Sequence, residues 1–155
     1  MSYDTAMGAQ ITSEKEQSVV QRLTIAEPNW YEQLTDEQKM EVMWDWGLWA
    51  RPKQLAPEGD WRVWLILAGR GFGKTRSGAE WIRQVVTAGR AQRIALVGAT
   101  AADVRDTMIE GESGLLKVFP PHQRPRYEPS KRRITFHNGA QGTAFSADEP
   151  DRLRG

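Results

Sequence analysis

Cysteine is absent from the 155 residues. That excludes disulfide scaffolds, Cys-based zinc sites and thiol catalysis, and it agrees with a reducing compartment. Histidine is scarce: His122 and His137 are the only two, and their spacing is not that of a metal site. Long hydrophobic runs are missing too. The longest, Val63 to Ala68, is six residues, far below the roughly 20 that span a bilayer. The stretch Met1 to Glu14 has no basic segment followed by an apolar one, so no signal peptide is expected. Charge of one sign is also lacking. Lys and Arg total 21 and Asp and Glu total 20, a net charge of +1. A uniformly basic nucleic-acid coat and an acidic disordered tail are thereby excluded, while a local basic patch is not.

Tryptophan, by contrast, is plentiful. Seven lie between Trp30 and Trp81, which places the bulky core there and favours packing over base stacking. The length suits one domain with a real core. Residues 1–29 are polar and weakly periodic and read as an arm, although Val19, Val20, Leu23 and Ile25 could form a short amphipathic helix. Residues 30–155 read as the folded domain. Thr35 and Gln38 make a capping box for a helix over 35–50 that stops before Pro52. Trp61 to Ala68 and Arg93 to Ala99 are short apolar runs that predict buried strands, as in a parallel sheet. Helices are expected over 74–88, 101–110 and 114–119. A hairpin is expected across Asn138-Gly139-Ala140, from 133–137 to 143–146. The order strand, loop, helix, strand, helix implies an α/β fold with a mainly parallel sheet flanked by helices.

Three glycines fall within Gly69-Arg70-Gly71-Phe72-Gly73, followed by Lys74 and Thr75. The run from Ala68 matches the phosphate-loop pattern G-x-x-x-x-G-K-[ST] except that Ala68 holds the first glycine position. The residue types fit the chemistry. Glycines let the backbone curl so that successive N–H groups face phosphate oxygens. The helix that follows turns its positive end to the same place. In such a site Gly69 to Arg76 contacts nucleotide, Lys74 bridges the β- and γ-phosphates, and Thr75 places its hydroxyl on Mg²⁺. Arg70 is either a solvated loop residue or a guanidinium that stabilises charge on the transferring γ-phosphate. Such ATPases also need a carboxylate at a strand end. The one candidate, Asp148-Glu149, follows a poor strand and reads as a pair of surface loop acids. The domain is therefore expected to be an incomplete phosphate-loop NTPase that stops short of its catalytic carboxylates.

The run WRVWLILAGRGFGKTR from Trp61 to Arg76 resembles the ATPase domain of large terminase subunits, the DNA-packaging motors of tailed phages and gene transfer agents. Arg51-Pro52-x-Gln54-x-x-Pro57, Val97-Gly98-Ala99-Thr100 with Asp103-Val104-Arg105-Asp106, and Ser146-Ala147-x-x-Pro150-x-x-Leu153-Arg154-Gly155 add to the likeness. The resemblance implies ATP and Mg²⁺ as ligands. It implies double-stranded DNA, a small terminase subunit and a portal protein as partners, a ring of copies in the active motor, no membrane, and a place in the bacterial cytoplasm. It makes Gln54 an adenine contact, Arg70 a γ-phosphate arginine, and Arg154 an arginine that reaches a neighbouring subunit's nucleotide. It also puts the family's Asp-Glu pair beyond Gly155, which agrees with a decoy at Asp148-Glu149. Two other readings stay open: a non-catalytic nucleotide-binding remnant of a truncated gene, and another nucleic-acid-dependent ATPase such as a helicase. The basic cluster Arg124, Arg126, Lys131, Arg132 and Arg133 is a solvated face or a DNA contact.

Overall fold

The computed structural model describes residues 17–148. The chain divides between Leu55 and Ala56 into two compact units. In the first, residues read as an arm form helix α1 (Val19–Ala26), started by a capping box between Ser18 and Gln21. Helix α2 (Asp36–Trp44) begins at the expected Thr35–Gln38 box, with Asp36 and Glu37 in its first turn. The single helix expected over 35–50 is two. Asp45 leaves helical geometry and its carboxylate accepts from the Gly47 N–H, starting α3 (Trp46–Trp49). An Asp that can bond the backbone two residues on competes with helix continuation. A 3-10 turn, Pro52–Gln54, follows.

The second unit is built on a four-stranded sheet. Its strands are β1 (Arg93–Gly98), β2 (Arg126–Glu128), β3 (Arg133–Thr135) and β4 (Gln141–Ser146), in the order β1-β4-β3-β2. Only β1 and β4 run parallel, with Leu96 opposite Ala144 and Gly98 opposite Ser146. The pairs β2–β3 and β3–β4 are antiparallel. The sheet is therefore mixed, and the expectation of a mainly parallel one is corrected. The correction comes from two tight turns. Gly139 has φ +86° and folds β4 back on β3, and the Pro129–Lys131 turn, with Arg132 at φ +51°, folds β3 back on β2, so two of the three pairings are made locally. Gly142 lies where Ile134 crosses: a Cβ there would sit 2.5 Å from the Ile134 Cγ2.

The apolar run Trp61–Ala68 is not a strand of this sheet. Its side chains alternate: Val63, Leu65 and Leu67 are 81, 71 and 85 % exposed, while Trp64, Ile66 and Ala68 are half-buried. Sequence pattern gave the segment a strand's extension, but hydrogen-bond partners on both sides come from elsewhere in a chain, and no strand of the described sheet supplies them. Its start is anchored by aromatics: the Trp61 ring lies 6.2 Å from Trp64 and 5.9 Å from Trp81. Its Nε1–H donates to the Pro57 carbonyl.

Helix α4 (Lys74–Thr87) follows, then β1. The expected helix over 101–110 is a single α-turn, α5 (Ala101–Asp103), that runs into a π-helix, Val104–Ile109. Helix α6 (Leu115–Val118) comes next. The core lies between one face of the sheet and these helices. Val86, Leu96, Val104, Ile109, Leu115, Val118, Phe119, Ile134 and Phe136 are among its members. None of the seven tryptophans is buried in it, so the expected Trp-rich core is corrected too. Indole rings are too large to be enclosed easily and keep one edge at the surface. Strand β1 is also covered on one face only: Leu96 is enclosed while Val97 is half exposed.

Candidate phosphate-binding site

The glycine-rich loop that precedes α4 uses the conformational freedom of two of its glycines. Gly71 and Gly73 have φ +80° and +92°, where side-chain-bearing residues are strained. Gly73 is the N-cap of α4 and offers no side chain to it, and no acidic residue occupies the first turn. The helix thus starts with its backbone donors uncapped by a side chain and its dipole uncompensated, an arrangement suited to an anion. The Ser77 hydroxyl donates to the Gly73 carbonyl and steadies the turn.

Lys74 reaches back across the loop. Its Nζ donates to the carbonyls of Ala68 and Gly69, at 2.9 Å each. An ammonium has three donors, so one remains, together with the full charge. The neighbouring Arg76 pairs its guanidinium at 2.7 Å with Glu80, which also binds Arg83 at 2.7 Å. Among the described residues, the Thr75 hydroxyl and the exposed Arg70 guanidinium have no protein partner.

Arg70, Gly71, Gly73, Lys74, Thr75 and Arg76 line one wall of a cleft of about 690 Å³. Across it stand Asp106 and Thr107 of the π-helix and Gly111, Glu112 and Ser113 of the following turn. Sequence reasoning missed that second wall. Its one signal was the Asp103-x-Arg105-Asp106 match, which carried no role. Asp106 is clamped by the adjacent Arg105, whose Nη2 lies 3.1 Å from its Oδ2. This hydrogen bond, helped by the guanidinium charge, holds the Asp106 carboxyl below the usual carboxylate range and the Arg105 group above its ordinary value. An adjoining apolar cavity of about 300 Å³ lies along α4, lined by Gly78, Ala79, Ile82, Leu96, Met108 and Leu115 beside Lys74 and Thr75.

The other expected residues fall as follows. Gln54 belongs to the first unit, is buried, and its Oε1 accepts from the Arg51 N–H and Nε. Arg154 and Glu149 lie outside the described residues. Asp148 is exposed, its N–H directed at the Ser146 hydroxyl. The segment before it is a better strand than the sequence indicated, since β4 runs for six residues beside β1. In the basic cluster, Arg126 and Arg133 stand on β2 and β3, and Lys131 pairs at 2.9 Å with Glu128, whose carboxyl is lowered by that bond. No group of metal-ligating side chains occurs among the described residues. Among the same residues, no helix is long and apolar enough to cross a membrane.

A glycine-rich loop entering a helix beside a mixed sheet defines an α/β protein with a candidate anion site at that loop. The model of the family described as terminase large subunit, T4-like virus type, N-terminal, matches residues 65–155, more than half of the sequence, and the chain belongs to that family. Neither the curated proteins nor the solved structures compared with the chain gave a match.

Proposed function

We propose that the chain is the ATP-binding part of a DNA-packaging motor, in which a terminase large subunit couples ATP hydrolysis to movement of double-stranded DNA into a procapsid. The observation that supports it most is the loop itself. Gly71 and Gly73 at positive φ, the uncapped start of α4, the Lys74 ammonium and the unpartnered Thr75 hydroxyl meet in one cleft. Gly69, Phe72 and the other loop residues present backbone donors to the phosphates. Lys74 uses its remaining donor and charge on the β- and γ-phosphates. Thr75 supplies a ligand for Mg²⁺, which when bound neutralises charge between those phosphates. Arg70 lines the same wall, and in this reading its guanidinium acts on the transferring group. The family match supports the packaging context. A small terminase subunit, a portal protein and further copies in a ring are the partners this reading implies, in the cytoplasm of a bacterial host. Gln54 as adenine contact and Arg154 as an arginine acting across a subunit interface belong to the same proposal.

Titration calorimetry tests the nucleotide site. Lys74→Ala should weaken binding of MgATP by about 2–3 kcal/mol, the cost of one charge-assisted contact with phosphate. Equal affinity in the two proteins would refute the site.

A further inference from the structure

The phosphate loop supplies one wall of the cleft, and the facing wall has a construction of its own. Three observations single it out. The backbone at its base is a π-helix, in which the Glu110 N–H bonds the Arg105 carbonyl five residues back at 2.9 Å. Such turns are rare and concentrate at functional sites. The turn that follows then folds back too closely for any side chain. A Cβ on Gly111 would lie 2.7 Å from the Asp106 carbonyl oxygen and 2.8 Å from that of Thr107. One on Gly114 would lie 2.6 Å from the Ile109 oxygen. These are backbone atoms of the π-helix, so the close return requires glycine and sets Ser113 on the same wall as Thr107. Finally, among the described residues neither the Thr107 nor the Ser113 hydroxyl has a protein partner.

The electrostatics agree. Asp106, the acidic side chain of the π-helix on this wall, is tied up by Arg105. Glu112 also lines the wall, and its repulsion toward an anion is offset by Arg70 and Lys74 opposite. The wall hangs from the carboxyl end of β1, the edge of a parallel pair where ligand crevices open. Phosphates gripped by the loop and by the start of α4 would share the cleft with this wall.

Building on the nucleotide reading above, we propose that Thr107 and Ser113 donate hydrogen bonds to the terminal phosphate and so make the cleft selective for a nucleoside triphosphate over a diphosphate. The wall acts as a positioning device: it recognises the γ-phosphoryl group and fixes it against Lys74 and Thr75.

The test is calorimetry on the whole chain, with the Mg²⁺ complexes of a non-hydrolysable ATP analogue and of ADP as probes. Ser113→Ala should lower affinity for the analogue about tenfold, the cost of one hydrogen bond to a charged group, with ADP affinity unchanged. The double variant Thr107→Val, Ser113→Ala should lose more, and Ser113→Thr, which keeps the hydroxyl, should restore most of the binding. Circular dichroism establishes that the variants are folded, and Thr107→Val alone serves if a Ser113 variant is not. An equal loss for both nucleotides, or no loss for either, overturns the proposal while leaving the nucleotide site standing. A wild-type chain that binds neither nucleotide overturns both.

Discussion

Glu80 is, among the described residues, the one buried ionisable side chain, 1 % exposed on α4. Its two carboxylate oxygens are divided between Arg76 and Arg83, one turn away on either side. The sequence reading includes Arg76 among the nucleotide contacts. In the structure its guanidinium pairs with Glu80 and so ties together two turns of the helix that carries the loop, while the residue also lines the cleft. Glu80→Ala would leave both arginines without that carboxylate. A loss of about 3 kcal/mol in unfolding free energy is expected, the low end for breaking a buried pair because Arg76 stays partly solvated. Denaturant titration measures it, and a change below about 0.5 kcal/mol, the size of an ordinary surface substitution, would show the pair to be incidental. At this scale the loop was the most legible part of the chain. Lys74, Thr75 and the glycines announce themselves because their conformational and chemical requirements are local. Thr107 and Ser113 did not, because their meaning depends on what stands across the cleft.

Among the elements, α4 was read almost to the residue: the expectation was 74–88 and the helix is Lys74–Thr87. It still carries a glycine in its interior. Gly78 has nothing within 4 Å of where a Cβ would lie, and it faces the apolar cavity beside Leu96 and Met108. Gly78→Ala should therefore raise stability by about 0.5–1 kcal/mol, through lower backbone entropy in the unfolded chain. A higher midpoint in thermal or urea unfolding would show it; a lower one would mean that the cavity wall cannot accept a methyl group. The π-helix was illegible. Val104–Ile109 has the composition of an α-helix, and its five-residue hydrogen bonding accompanies the packing of Val104 and Ile109 into the core and the close glycine return behind them, neither of which is local in sequence pattern. Strand β2 escaped notice because three residues between Pro125 and Pro129 carry no period to read.

The molecule as a whole is two compact units, a mixed sheet and a core free of tryptophan. The α/β class was reached from a succession of elements of which the first strand, Trp61–Ala68, is not in the described sheet, while the helix at 74–87 and the strand at 93–98 are present. The sheet's polarity was readable only in part: the Asn138-Gly139 hairpin was expected, whereas the antiparallel β2–β3 pair, closed by the turn at 129–132, was not. The extended run Trp61–Ala68 is where sequence and architecture part most clearly. It has the composition of an interior strand, yet it is no member of the described sheet and turns three large aliphatic side chains outward. Its amide hydrogens provide a clock for that state. Those of Val63 to Gly69 should exchange with deuterium close to the rate of an unstructured peptide, while Leu96 and Ala144, within the β1–β4 pair, exchange only through larger openings. If the run is as slow as β1, it is paired in solution. If it is fast, any ligand or partner that completes the sheet will reveal itself first as a stretch of amides falling silent just upstream of the phosphate loop.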